Sequence, residues 1–449
     1  AGVNRFRNEY MTPAARFAAL IEIVDAMQDG QLAGHALRRD LQKRRYAGSG
    51  DRQAISHAFW QLHRHWARLF WHLETCKAEV TPRSIAIAAA ILVTGMSAAE
   101  IEALFAGDDK HGPHALDEDE KQLVARLSEQ GLDDPAMPRD VALEWPAFLI
   151  ADTEAALGAQ TDEELRALQG EAATDIRINP LKLADRRALR ETLAGRGIKC
   201  HLAKLSPLGI RLEKRTRTEE LQEWKKGLFE YQDEGSQIAA LLCDARPGMQ
   251  VADICAGAGG KALVMAAQMQ NRGRVLALDT DAERLERGGE RLRRAGIHNV
   301  ERKHVDEGWG TKRWRGKFDR VVIDAPCTGS GTWRRQVDAR WRCSQDHVSR
   351  YTGLQAELLE KGRGMCAPGG RIVYITCSVL ASEGEAQIER ILADAPELEL
   401  ADINGIWQDC ITPLGGGECP TSNDGMLRLL PGRDGTDGFF MAVLQARLR

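Results

Sequence analysis

No two of the ten cysteines are spaced C-x-x-C, and their positions follow no regular framework. That removes a zinc knuckle of thiolates and argues against a disulfide scaffold, which leaves reduced thiols in a chain read as cytoplasmic. No apolar run approaches the ~20 residues of a membrane-spanning helix, and no charged start with an apolar middle marks a secretory leader. No excess of positive charge is present either: 61 Lys and Arg face 65 Asp and Glu, a net charge of −4. The total therefore advertises no nucleic-acid binder, and any phosphate contact has to come from local basic patches. Met11-Thr-Pro13 reads as a natural start, so the residues before it are expected to be an extension. At 449 residues the chain has room for roughly two to four domains with real cores.

What is there begins as a helical region. Thr12 is placed to cap a helix with Pro13 in its first turn, and Phe17, Leu20, Ile21, Val24 and Met27 recur at helical spacing. A second helix carries Leu37 and Leu41 and ends in Lys43-Arg-Arg45. A third is expected to hold Ile55, Phe59, Leu62, Trp66, Leu69 and Phe70. His57, His63 and His65 invite a metal site, but helical side chains two apart do not face each other, so packing or solvated histidines are expected. Ser97-Ala-Ala-Glu100 is a capping box. An acidic, Pro- and Gly-punctuated stretch over 107–139 follows. From Asp175 the chain alternates strand, helix and strand, a small α/β module in which Arg177, Lys182, Arg186 and Arg187 are candidate RNA contacts. Phe229 to Gln237 bridges into the main domain, with Ser236 expected to cap the next helix.

The main domain is organised around Val251-Ala-Asp-Ile-Cys-Ala-Gly-Ala-Gly-Gly-Lys261, a buried strand running into a glycine-rich turn and then a strong helix former. A helix starting at a strand end offers free N–H groups and a positive dipole end to a polar or anionic ligand. About twenty residues on, Arg274-Val-Leu-Ala-Leu-Asp279 is a second strand ending in a carboxylate, the usual place for holding ribose hydroxyls. Arg284 to Arg294 is a basic helix, and His298 to Val305 a third strand followed by Asp306. This unit binds a nucleoside-containing cofactor. Gly257, Gly259 and Ala262 satisfy G-x-G-x-x-A, so a nicotinamide cofactor and S-adenosyl-L-methionine (SAM) both fit at this point.

Two later strands separate them. Phe318 to Asp324 runs into Asp324-Ala-Pro-Cys327, and Arg371 to Thr376 runs into Cys377. Ligands of an open α/β sheet sit beyond the carboxyl ends of its strands, so both thiols and Asp324 are expected to converge where the glycine turn holds its cofactor. Two cysteines and an acid there suit methylation of cytosine at C5. A thiolate adding at C6 makes C5 carbanion-like, an acid at N3 helps, and C5 attacks a sulfonium methyl. A dehydrogenase uses neither thiol in this way. Cys76, Cys200, Cys243, Cys366, Cys410 and Cys419 read as small buried apolar residues, and Cys255 as a backbone element of the cofactor turn.

At these residues the chain resembles the Sun (RsmB/Nop-like) family of RNA cytosine-C5 methyltransferases, especially its bacterial ribosomal-RNA branch. Cys255-Ala-Gly-Ala-Gly-Gly-Lys261 is similar to the family's C-A-A-P-G-G-K, with Gly257 and Ala258 in place of Ala and Pro. Asp324-Ala-Pro-Cys327 and Thr376-Cys-Ser378 match its two cysteine motifs. Gly331-Thr-Trp-Arg-Arg335 with Asp338-Ala-Arg-Trp341, Tyr231 to Gln237, and Arg428-Leu-Leu-Pro431 with Asp437-Gly-Phe-Phe440 fit as well. The likeness is specific over roughly 175–449 and weaker before, where Arg44 to Arg52 is similar to a NusB-like domain.

The resemblance implies an α/β chain: a helical NusB-like RNA-binding domain over 11–150, a small α/β (RRM-like) module over 160–235, and a Rossmann-like methyltransferase domain over 236–449. It implies Cys377 as nucleophile, Cys327 as helper in product release and Asp324 at the cytosine N3. SAM is expected against Cys255, Ala256, Gly257, Ala258, Gly259, Gly260 and Lys261, with Asp279 on the ribose, Asp306 on the adenine side and Asp324 near the methionine. The expected substrate is 16S ribosomal RNA, the expected assembly a monomer, and no metal or membrane is expected. Arg334, Arg335, Arg340 and Arg342 are candidate phosphate partners. Transfer RNA as substrate, an NAD-dependent oxidoreductase and a non-catalytic RNA-binding factor are the alternatives.

Overall fold

The computed structural model describes residues 11–107, 109–214, 216–420 and 424–448; the expected extension before Met11 lies outside the described residues. The chain divides into two compact units. One runs up to Ile150 and takes in Gln336–Arg342, and the other comprises the rest. Among the described residues no helix is long and apolar enough to cross a membrane.

The first unit is all helical. Pro13–Gln28 begins as its sequence dictates, with the Ala15 N–H donating to Thr12 Oγ1 at 3.0 Å. Phe17, Leu20, Ile23 and Val24 are buried in one core with Phe59, Leu69, Leu73, Ile85 and Ile87. The capping box forms as expected, the Glu100 N–H meeting Ser97 and the Glu100 carboxylate meeting the Ser97 N–H at 2.8 Å. The expected third helix is in fact two, Ser49–Arg64 and Trp66–Thr75. His65 leaves the helical region (φ −111°, ψ 25°), and the new N-terminus is capped from far along the chain. The buried Glu144 carboxylate accepts the Ala67 N–H at 2.9 Å and the Arg68 N–H at 3.1 Å, and pairs with the Arg68 guanidinium at 3.2 Å. Helical periodicity cannot reveal a cap that arrives from another segment. His63 packs against Phe59 and Trp66, and burial first, then the charges of Arg340, Arg64 and Arg342, push its pKa down to about 3. Gln336–Arg342 belongs here because the buried Arg340 donates to the Glu144 carbonyl at 3.1 Å.

The second unit contains two sheets. The smaller has β1 (Thr174–Ile178), β2 (Cys200–Leu202), β3 (Gly209–Leu212) and β4 (Phe229–Tyr231) in the antiparallel order β2-β3-β1-β4, with the helix Arg186–Gly195 between β1 and β2. Tyr231 and its neighbours read as a connection in sequence; three residues gain strand form by pairing with β1, Ile176 opposite Tyr231. The following helix, Glu234–Leu241, is capped by Asp233, whose carboxylate accepts the Gly235 N–H at 2.8 Å. Ser236, the expected cap, lies inside the first turn.

The larger sheet has β5 (Gln250–Asp253), β6 (Arg274–Asp279), β7 (Val300–His304), β8 (Phe318–Asp324), β9 (Cys366–Thr376), β10 (Leu398–Leu400), β11 (Leu427–Leu429) and β12 (Phe439–Ala446). Its order is β10-β12-β9-β8-β5-β6-β7, with β11 also paired to β12. The strands from β5 to β9 are mutually parallel, whereas β12 runs antiparallel to β9. Central residues such as Val251, Val321, Val322, Ile372 and Ile375 are fully buried, as a parallel sheet covered on both faces demands. The chain leaves β5 towards β6 and β7 and then returns to the other side of β5 at β8, so the order reverses between β5 and β8. That reversal opens a crevice at the carboxyl edge.

The distant cap is testable. Glu144→Ala removes the acceptor of the helix N-terminus and one of the two carboxylates on Arg68, Asp133 at 2.6 Å being the other, a loss of about 3 kcal/mol. It is expected as a roughly 100-fold fall in hydrogen-exchange protection across Trp66–Thr75. Glu144→Gln keeps an acceptor and is expected to lose clearly less.

Candidate active site

β5 ends at Asp253 and the chain turns at once. Gly257 (φ 53°) and Gly259 (φ 78°) take left-handed conformations that allow the turn to double back into the helix Gly260–Gln268. A Cβ at Gly257 would lie 2.7 Å from the Arg284 guanidinium, which would have to swing aside, and the left-handed φ would strain any side chain there. The turn is fastened to β6: the Gly257 N–H donates to Asp279 Oδ2 at 2.6 Å, and the Ala256 N–H donates to the Leu278 carbonyl at 2.9 Å. Asp279 Oδ1 accepts the Asp281 N–H at 2.8 Å. The Val305 N–H donates to the Asp279 carbonyl at 3.1 Å, which leaves Asp306 exposed at the same edge. The Ala258 carbonyl accepts from Arg291 at 2.9 Å. Burial, then the charges of Asp253, Asp324 and Asp279, raise the Cys255 thiol well above its ordinary range, so it stays a neutral part of the turn.

Opposite this turn, β8 ends at Asp324, and Lys261 from the first helical turn reaches it: Nζ to Oδ2 is 2.5 Å. Burial works against the Lys261 charge. Asp324, by charge and hydrogen bond, outweighs it together with Asp253 and Cys377, and the ammonium is held above its ordinary pKa. Beyond Asp324 and Thr376 come the thiols, Cys327 Sγ lying 3.5 Å from Cys377 Sγ. The hydrogen bond to Cys377 comes first, then burial, then the charges of Cys377 and Glu383; together these raise the Cys327 thiol well above the ordinary range. The structure thus brings together Asp324, Lys261, Cys327 and Cys377, and separately joins Asp279 to the glycine turn.

Two buried carboxylates escaped the sequence reading. Asp253, 1% exposed, points one oxygen, Oδ1, where no described group bonds it. Burial, then the charge of Asp324, lifts its pKa to about 7 against the opposing pull of Lys261. Its signal was an acid closing an otherwise apolar strand. Glu383 is also fully buried and accepts from Thr328, next to Cys327. Nothing local to its sequence announces that.

Of the candidate phosphate contacts, Arg334, Arg335 and Arg340 are engaged inside the protein, whereas Arg342 stays more than half exposed. Arg334 is buried on Asp437 at 2.6 Å, and Arg335 joins Asp437 at 2.5 Å and Asp233 at 3.1 Å. Arg340 is buried in the helical unit, and Arg342 pairs with Asp338 at 3.3 Å. Arg177 is buried and donates to Gln232 at 2.6 Å, while Arg186 donates to the Ala203, Ser206 and Gly209 carbonyls. Of the four candidates in that module Lys182 and Arg187 stay exposed, and the Lys182 ammonium is bonded to the Lys226 and Arg294 carbonyls.

Residues 240–445 match the family described as 16S rRNA methyltransferase RsmB/F, and residues 145–219 match the ferredoxin-like domain of RsmF/B-like methyltransferases. A probable ribosomal RNA small subunit methyltransferase B of Synechocystis is 31% identical over 329 residues, covering 71% of each chain. The ribosomal RNA small subunit methyltransferase B of Xanthomonas campestris is 30% identical over 72% of this chain and 70% of its own. The crystal structure of PH0851 shares the fold over 97% of this chain and 99% of that one, at TM-score 0.75 and 24% identity.

Asp253 makes a pH prediction. A carboxyl whose folded pKa exceeds its unfolded value stabilises the fold below the unfolded value, and that contribution disappears as pH climbs through the folded one. Replacing it by Asn removes the titration. Between pH 4 and 7.5 wild type is expected to lose a few kcal/mol relative to Asp253→Asn, measured by urea unfolding of the two proteins side by side across that range.

Proposed function

The chain belongs to the RsmB/F family of ribosomal RNA small subunit methyltransferases, and on that premise we propose that it methylates C5 of a cytosine in 16S ribosomal RNA, using SAM and a transient bond from Cys377 to C6 of the base. The observation that carries the reading is the thiol pair 3.5 Å apart beside the Lys261–Asp324 ion pair, both next to the glycine turn.

The cofactor pocket suits SAM on the chemistry of its donors. Carboxylates close three adjacent strands, Asp253, Asp279 and Asp324, and the buried Asp253 Oδ1 lacks a partner among the described residues, as fits a ligand with cationic and hydroxyl groups. Cys255 to Lys261 would hold it through the turn and the helix start, Asp279 at the ribose, Asp306 on the adenine side and Asp324 near the methionine end. When bound, SAM supplies an electrophilic methyl on a sulfonium.

The protein's own groups do the rest. Cys327 keeps its proton and offers it as a hydrogen bond to Cys377, which leaves Cys377 to act as the thiolate. Its attack on C6 pushes electron density to N3, and a proton passed there from the Lys261 ammonium through Asp324 neutralises it, to be returned along the same path once C5 has taken the methyl group. C5 then takes the methyl group. For release, the C5 proton passes to water and its bonding electrons form the C5–C6 double bond. The C6–S bond breaks, and the departing Cys377 sulfur takes the charge under the Cys327 hydrogen bond. The base has to be unpaired or flipped out for C5 and C6 to reach both reactants.

With methyl-labelled SAM and under-methylated 16S RNA, wild type is expected to form 5-methylcytosine and Cys377→Ala none. Cys327→Ala is expected to trap an RNA–protein adduct that survives denaturation. Asp324→Asn is expected to slow turnover at least about 100-fold. Methylation by Cys377→Ala with none by Cys327→Ala would reverse the thiol roles. Transfer to tRNA alone would move the substrate, and transfer to no RNA would favour a non-catalytic binding factor.

A further inference from the structure

Glu383 closes the short turn Ala381–Glu383, just past Cys377, yet its carboxylate serves the other thiol's loop. Oε1 accepts the Thr328 N–H at 2.9 Å and Oε2 the Thr328 hydroxyl at 2.6 Å. Gln355, on the helix Gln345–Met365, donates to Glu383 Oε1 at 3.1 Å and to the Pro326 carbonyl at 2.9 Å. The residues on both sides of Cys327 are therefore held by one buried carboxylate, directly at Thr328 and through Gln355 at Pro326. Glu383 is itself fixed, since its carbonyl accepts the Tyr374 hydroxyl from β9 at 2.9 Å. Other ties join the two segments on either side, Ala325 N–H to the Ile375 carbonyl at 2.9 Å before Cys327, and Gly331 N–H to the Cys377 carbonyl and Val379 N–H to Ser330 Oγ, both at 3.0 Å, beyond it; Trp333 Nε1 also donates to the Thr328 carbonyl at 3.2 Å.

We propose that Glu383 is the positioning residue of the thiol pair, fixing the backbone around Cys327 so that its sulfur stays in contact with Cys377 during release of the methylated base. The role in release rests on the cytosine-C5 reading, whereas the positioning of the sulfurs does not. Gln at this position keeps the arrangement: its carbonyl accepts the Thr328 N–H and its amide donates to the Thr328 hydroxyl. Ala keeps neither.

The test uses two readouts on the full chain. Diamide oxidises two thiols in contact to a disulfide, each losing its proton while the reagent is reduced to the hydrazine. Peptide mass spectrometry then follows the Cys327–Cys377 bond. Wild type and Glu383→Gln are expected to close it at similar rates, and Glu383→Ala at least about tenfold more slowly. In the methylation assay Glu383→Ala is expected to lower kcat with KM for RNA unchanged and to retain RNA–protein adduct, with rescue in Glu383→Gln. Closure at the wild-type rate in Glu383→Ala overturns the proposal. If wild type methylates no RNA, the diamide comparison still decides the positioning. Should Glu383→Ala fail to fold, Thr328→Val, which removes the hydroxyl half of the clamp, is expected to slow closure in the same direction, and its failure to do so is equally decisive.

Discussion

A buried carboxylate that loses its partners costs several kcal/mol, and the loops around this site are held by that penalty. Past the carboxyl edge of a parallel sheet the chain has no ladder to lean on. Here each such segment ends on an internal acid instead: the glycine turn on Asp279, the Cys327 loop on Glu383, and the segment after it on Asp437 and Asp233. A loop held in this way cannot drift without stranding a charge in the interior. Two sulfurs can then be kept in contact on segments that are not regular secondary structure.

The same acids explain where the arginines go. Asp437 is buried and Asp233 partly so, and burial, then the charge of Asp437, lifts the Asp233 pKa to about 7. Arg334 and Arg335 compensate them, and a solvated role for either would leave the pair uncovered. Arg428 does similar work behind Cys377, pairing with Glu385 and donating to the Ser378 and Leu380 carbonyls at 3.0 and 3.2 Å. Arg334 and Arg335, which look like nucleic-acid contacts along the sequence, are thus structural partners of the catalytic loops. Their loss would act through loop position as well as through charge.

Much of the catalytic domain was legible because its signals are local. A strand, a turn that needs left-handed glycines and a helix former follow one another within a dozen residues, and Asp279, Asp324, Cys327 and Cys377 all sit at strand ends. The long helix Gln345–Met365 and the strand β12 went unread, and other missed elements are short or depend on distant neighbours. β4 and β10 have three residues each and exist through pairing. The interruption at His65 depends on Glu144, and the true cap at Asp233 competes with a serine of nearly equal capping propensity.

By itself the sequence determined the parallel sheet, the turn over its first strand and the thiols and acid at the carboxyl edge, because hydrophobic alternation, glycine conformation and strand polarity are properties of neighbouring residues. Which charges pair with which was decided by the tertiary structure alone. Asp324 with Lys261, Glu383 with Thr328 and Arg335 with Asp437 are separated along the chain by tens of residues or more. Coulomb attraction and desolvation act through space, so no pattern of nearest neighbours encodes their outcome.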